Sequence, residues 1–86
     1  MEIYYTYDTE SDFCEIIAAS DGMAISIDEI PSSELESLES IRDIIHDGLR
    51  NGRWQDFWND LEGFGVFFPA SEIPTRYPNA KKYIPS

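Results

Sequence analysis

The alternation of apolar and polar positions predicts that the chain begins with a β-strand. Residues 2–8, EIYYTYD, place one isoleucine and two tyrosines on one face and a tyrosine and a threonine on the other. Aromatic and β-branched residues at this spacing are typical of strands. The polar residues 8–12 that follow are typical of a turn.

Two further apolar runs, residues 13–20 and 23–30, are separated only by an Asp-Gly pair. Such a pair favours a two-residue type I′ turn, because both turn residues then take positive φ. We therefore predict a β-hairpin whose strands pair in regular register outward from the turn. In that register Glu15 lies directly opposite Asp28, and facing like charges destabilise a sheet.

A long amphipathic helix is predicted over residues 33–50. Ser33 and Glu36 form a capping-box pattern at its start, and an Asn-Gly pair follows its end. Its apolar positions recur at the spacing of a core-facing helix. These positions are Leu35, Leu38, Ile41, Ile45 and Leu49.

The last third of the chain predicts a shorter helix, a strand and a tail. Trp54, Phe57, Trp58 and Leu61 recur at helical spacing over residues 53–61. The apolar run 64–68 indicates a further strand. Residues 69–86 contain four prolines, and we expect an extended tail anchored by Tyr77, Tyr83 or Ile84.

The predicted order of elements defines the fold class. We expect a single α+β domain over residues 1–86, in which a small antiparallel sheet of three to four strands carries one long and one short helix on one face.

The charge is unevenly distributed along the chain. The net charge is −11, and residues 1–41 contain eleven acidic residues but no lysine or arginine. Residues 42–86 contain six of each sign. A strongly negative field attracts basic protein surfaces and disfavours contact with nucleic acid or an anionic membrane. We therefore expect a basic protein as partner, and neither direct nucleic-acid binding nor membrane binding.

The single cysteine, Cys14, permits no intrachain disulfide, which suits a reducing compartment. No apolar run is long enough for a membrane span or a signal peptide. The sequence thus predicts a soluble, cytoplasmic protein.

No pattern singles out a catalytic, cofactor or metal site. His46 is the only histidine, and we expect an exposed helical residue in preference to a metal ligand. Asp8, Glu10 and Asp12 alternate as calcium-loop ligands do, but the glycine and glutamate that such a loop requires are replaced by phenylalanine and alanine. We expect Cys14 to be a small core residue. The sequence therefore predicts a protein that is not an enzyme and binds no cofactor or metal.

A row of acidic residues marks the outer face of the predicted long helix. Its members repel one another at i, i+3 and i+4 spacing, and helix stability gains nothing from them. The residues are Glu36, Glu39, Asp43 and Asp47, with Glu15 and Asp28 as further candidates on the sheet. Phosphates recur about every 3.4 Å along a DNA strand, so the row resembles a short piece of nucleic-acid charge.

In size and charge the chain resembles the small acidic inhibitors of phages and mobile elements, which include DNA-mimicking anti-restriction and anti-CRISPR proteins. It is also similar to acidic immunity proteins that neutralise basic nuclease toxins. Either resemblance implies a non-enzymatic inhibitor that blocks the DNA or RNA site of its partner, in the host cytoplasm if the chain is phage-encoded. The alternative is an accessory subunit that binds through its aromatic segment.

Overall fold

Five antiparallel strands form the centre of the fold. The computed structural model, which describes residues 1–8, 10–59 and 66–85 apart from the Phe57 side chain, orders them β4-β3-β2-β1-β5. The strands are β1 (Glu2–Tyr5), β2 (Phe13–Ser20), β3 (Met23–Pro31), β4 (Phe68–Pro69) and β5 (Lys81–Lys82). The helices are α1 (Leu38–Arg50), α2 (Arg53–Asn59) and α3 (Ile73–Arg76), with 3₁₀ turns at Ser32–Glu34 and Ala70–Glu72. The predicted α+β class is confirmed, and the sheet has one strand more than expected.

The hairpin of β2 and β3 turns as predicted. Asp21 and Gly22 have φ values of 53° and 81°, the positive values that a type I′ turn requires. Next to the turn the register is also the predicted one, because Ser20 pairs with Met23.

A β-bulge then changes the register. Ile17 lies opposite Ser26, but Ile16 lies opposite Asp28, so β3 contains one extra residue. The predicted pairing of Glu15 with Asp28 is therefore wrong, and Glu15 lies opposite Glu29. The physical reason is burial: a regular register turns Ile30 away from the core, whereas the bulge places it in the core with 8% exposure.

The larger core lies between the sheet and the helices α1 and α2. Isoleucines of the hairpin pack against Ile41 and Ile45 of α1 and against Trp54 of α2. Leu38 and Leu49, predicted to face the core, are each 42% exposed. The buried face of the long helix thus includes fewer apolar residues than the helical spacing of the sequence predicts.

The long helix also begins later than predicted. Ser37, with an extended φ of −164°, is its N-cap, and the Ser37 hydroxyl accepts a hydrogen bond from the Ser40 N–H. Ser33 lies in a 3₁₀ turn, and Leu35 after it is extended. The predicted capping box of Ser33 and Glu36 therefore does not start α1, because Ser37 provides a cap closer to the buried isoleucines.

The opposite face of the sheet is covered by the C-terminal segment. Ile17, Ala24 and Phe68 of the sheet form a second core with Ile73 of α3, and Tyr77 packs against it. Residues 69–85 thus differ from the extended tail that the sequence predicts, because they contain a 3₁₀ turn, a short helix and an edge strand.

The predicted anchors of that segment are divided between core and solvent. Tyr83 is buried and Tyr77 is half-buried, but Ile84 is 72% exposed. Of the second predicted helix, the structure describes residues 53–59, and its expected end at residues 60 and 61 lies outside the described residues. Of the predicted strand 64–68, residues 64 and 65 also lie outside them, and only Phe68 is in a strand.

Candidate interaction surface

Three acidic residues lie on successive turns of α1 and point away from the core. Glu39, Asp43 and Asp47 are all exposed, whereas Ile41 and Ile45 on the opposite side are fully buried. Steps of four residues rotate by about 40°, so the three carboxylates form one strip about 12 Å long. We call these three residues the α1 acidic strip.

Glu36, the fourth residue of the predicted row, does not belong to this strip. It is exposed, but it precedes the N-cap Ser37 and is not helical. The predicted row of four on one helix is therefore wrong in its first member, because the helix starts two residues after Glu36.

Although Arg42 and Arg50 lie on the same helix, the carboxylates of the α1 acidic strip form no ion pair within the described part of the chain. The ion pairs found there are Arg53–Asp28, Arg76–Glu72 and Lys82–Glu2, and none involves the strip. Asp47 accepts a hydrogen bond of 3.2 Å from the Asn51 side-chain amide, which carries no charge. The three carboxylates therefore repel one another and are open to a cationic partner.

Glu15 occupies a different surface. It is half-buried beneath the C-terminal segment, where its carboxylate accepts a 3.1 Å hydrogen bond from the Ser26 hydroxyl. Burial, together with the adjacent Glu15 carboxylate, raises the pKa of Tyr77 to about 12. The structure thus places Glu15 in an internal polar cluster with Ser26 and Tyr77 and away from the α1 acidic strip.

Asp28 is also engaged within the protein. Its carboxylate lies 3.4 Å from the Arg53 guanidinium of α2, and its side chain is 21% exposed. Of the six acids singled out in the sequence, the structure therefore brings three together on α1 and gives Glu15 and Asp28 partners of their own.

His46 lies on α1 beside Asp47 and contacts the C-terminal segment. Its Nε2 is hydrogen-bonded to the Tyr83 hydroxyl, and the two rings meet edge to face with centroids 5.5 Å apart. His46 is exposed, as expected, but its partner lies 37 residues away. No local sequence pattern predicts this contact.

Asp8, the first of the alternating acids near residue 10, is hydrogen-bonded to residues that follow it in the chain. The Asp8 carboxylate accepts 2.9 Å hydrogen bonds from the Glu10 N–H and from the Ser11 hydroxyl, and these bonds lower the pKa of Asp8. In the described residues, no three His, Cys, Asp or Glu side chains are grouped closely enough to hold a metal ion. Cys14 is buried, with its Sγ 3.7 Å from the Ser32 hydroxyl oxygen.

The aromatic residues divide between core and surface. Trp54 and Phe68 are buried, whereas Trp58 and Phe67 meet edge to face at 5.0 Å and line an apolar depression with Met23. Sequence spacing does not distinguish these two groups, because all four residues belong to the same aromatic-rich stretch, residues 54–68.

None of the helices in the described residues is long and apolar enough to cross a lipid bilayer. Comparisons with protein families, curated proteins and solved structures find no match to this chain.

Proposed function

We propose that this chain is a small, non-enzymatic inhibitor that binds the basic site of a nucleic-acid-binding protein and blocks it by charge mimicry. The proposal rests on the α1 acidic strip: three exposed carboxylates, none of which forms an ion pair within the described part of the chain. A helix face of this kind costs stability, so a role in binding accounts for it better than folding does.

The mechanism follows from the geometry of the strip. The net charge of −11 accelerates encounter with a basic surface by electrostatic steering. The strip then lies along a groove lined by lysine and arginine, in the place of the phosphate backbone. Inhibitors of host defence nucleases and immunity proteins against nuclease toxins use the same chemistry, and we propose the anti-defence role first.

A charge-reversal variant tests this proposal. Glu39, Asp43 and Asp47 are changed to Lys together, and wild type and variant are used to capture proteins from the source or host lysate at low and high salt. The matched control changes Glu10, Asp12 and Glu34 to Lys, which alters the net charge equally at exposed positions outside the strip. Circular dichroism verifies that all three proteins are folded.

The proposal predicts that wild type and control capture a nucleic-acid-binding protein that duplex DNA or RNA displaces, and that the strip variant does not. Equal capture by the strip variant, or capture unaffected by nucleic acid and salt, would refute charge mimicry.

The apolar depression supports a second candidate function, that of an accessory subunit. Trp58 and Phe67 line it with Met23, which is 40% exposed, and the neighbouring Val66 is 82% exposed. Aromatic anchors are enriched at the centres of interfaces. In this case Met23→Ser abolishes capture of a salt-resistant partner, and the strip variant retains it.

A further inference from the structure

We propose that Asn51, at the end of α1, is a site of spontaneous deamidation that adds a carboxylate to the chain beside Asp47. This inference goes beyond the proposed function, because it concerns a chemical change of the isolated chain. Asparagine is a thermolabile residue, and in the sequence Gly52 directly follows Asn51. Glycine has no Cβ, so its backbone nitrogen is accessible to the side chain of the residue before it.

The reaction requires only water and the backbone of the next residue. The Gly52 nitrogen attacks Cγ of Asn51 and loses its proton to solvent, while the bond from Cγ to Nδ2 breaks and ammonia leaves. The product is a five-membered succinimide ring. Water then opens the ring at either carbonyl, which gives aspartate or isoaspartate at position 51. Each product carries one negative charge that asparagine lacks.

The surroundings of the Asn51–Gly52 junction leave room for this ring. The Asn51 side chain is exposed. A Cβ placed on Gly52 meets no heavy atom within 4 Å, its chain neighbours apart, whereas a Cβ on Gly48 of the same helix meets the Trp54 ring at 2.5 Å. The junction therefore lies at the surface and is not held by packing.

Hydrogen bonds at the end of α1 hold the junction in an unreactive conformation. Asn51 has a ψ of 0°, so its own nitrogen is eclipsed with the Gly52 nitrogen, whereas ring closure requires Cβ in that position. The Gly52 N–H donates a 3.2 Å bond to the Leu49 carbonyl, and the Asn51 amide donates a 3.2 Å bond to the Asp47 carboxylate. Helix ends fray readily. Opening of these two bonds therefore sets the rate of deamidation.

Deamidation changes the charge at the end of α1. The Asn51 amide donates to the Asp47 carboxylate, and after the reaction a second carboxylate repels Asp47 from the same position. A negative charge at a helix C-terminus is also unfavourable in the helix dipole. The α1 acidic strip therefore gains a fourth carboxylate four residues after Asp47, and the end of the helix is weakened.

The experiment follows the side-chain amide signals of the isotope-labelled full chain by NMR during incubation at mildly alkaline pH. Asn79 is the internal control, because it is also exposed but is followed by Ala80, whose Cβ shields the backbone nitrogen. The Asn51 signals are expected to be lost while those of Asn79 persist. Mass spectrometry is expected to find the mass gain of an amide-to-acid conversion in the peptide that contains Asn51, and Asn51→Gln is expected to abolish it.

Two variants test whether the hydrogen bond to Asp47 controls the rate. Asp47→Ala is expected to accelerate loss of the Asn51 signals about two- to tenfold, since it removes one hydrogen bond that holds the amide. The matched control is Asp43→Ala, which removes an acid two turns before Asn51 and is expected to leave the rate unchanged. Equal rates in the two variants would overturn this control by Asp47.

The deamidation itself is overturned if the Asn51 signals persist as long as those of Asn79, or if Asn51 is converted only after the chain is unfolded in urea. None of these measurements involves a binding partner. Failure of charge mimicry and failure of deamidation are therefore distinguishable.

Discussion

The indole of Trp54 lies directly against the backbone of Gly48 on α1. A methyl group at position 48 falls 2.5 Å from Cζ2 of the ring, and two further ring atoms lie within 2.8 Å. Trp54 is 2% exposed, so the ring is enclosed by the core. Glycine is therefore required in the last turn of this helix because it lets α2 approach α1.

Gly48→Ala is expected to destabilise the protein by about 1–3 kcal/mol through overpacking, although alanine is the better helix former by about 1 kcal/mol. Chemical denaturation measures the change. In a double-mutant cycle with Trp54→Phe, the smaller ring relieves part of the clash, and strictly additive effects would contradict the contact.

Gly22 is required for a different reason. Its φ is 81°, and a methyl group added there meets no heavy atom within 4 Å. Gly22→Ala is therefore expected to cost about 1–2 kcal/mol from backbone strain alone. The matched control is D-alanine at the same position in a synthetic chain, because its preferred φ is positive. Equal loss of stability with both alanines would show that the strain does not arise from φ.

The α1 acidic strip is expected to cost stability. Asp43 lies four residues from both Glu39 and Asp47, so Asp43→Gln removes two repulsive pairs and is expected to raise the free energy of unfolding by about 0.5 kcal/mol. The gain is expected to shrink as salt increases. Thermal unfolding at low and high salt tests this, with Asp56→Gln on α2 as a control. A loss of stability would indicate an attractive role for Asp43 within the fold.

Tyr77 is expected to make the fold sensitive to alkali. Burial is the largest cause that raises its pKa to about 12, and the Glu15 carboxylate is the next. Because the folded-state pKa exceeds the unfolded value of about 10, the stabilisation is fully present below pH 10 and is lost as the pH rises towards 12. Ultraviolet titration is expected to show one phenol ionising near pH 12 that is missing in Tyr77→Phe.

Glu15→Gln is the companion variant for this titration. It removes the negative charge beside the phenol, so the pKa of Tyr77 is expected to fall towards its ordinary value, but burial keeps it raised. An unchanged titration in Glu15→Gln would exclude a contribution from that carboxylate.

The features that the sequence predicts correctly are local ones. The Asp-Gly turn requires only the backbone preferences of two adjacent residues, and the buried face of α1 at Ile41 and Ile45 follows from helical period. The bulge cannot be predicted from local sequence, because it depends on whether Ile30 or Glu29 is buried under α1. In the sequence, Gly48 is only a residue that interrupts the predicted helix. The position of Trp54 in the structure explains why it is a glycine.

The same distinction between local and long-range features applies to the candidate interaction surface. Exposure of Asp43 and Asp47 follows from the helical wheel, but the partners of Glu15 and Asp28 lie on other elements. Tyr77 and Arg53 reach these acids only after the C-terminal segment and α2 have packed on opposite faces of the sheet. Such long-range contacts produce no regular pattern of residues from which the sequence could predict them.

The pairing of β5 with β1 sets the order in which the sheet is completed. Tyr4 pairs with Lys82, and the Tyr83 N–H donates a 2.8 Å bond to the Ile3 carbonyl, so nearly the full length of the chain separates these partners. During synthesis the edge of β1 stays open until residues 81–83 emerge. Contacts this distant in sequence form slowly, so the nascent chain exposes a strand edge to which other chains can bind. An expression tag placed after Tyr83 extends from that same edge. Its charge and length therefore affect whether β5 pairs with β1 before another chain binds there.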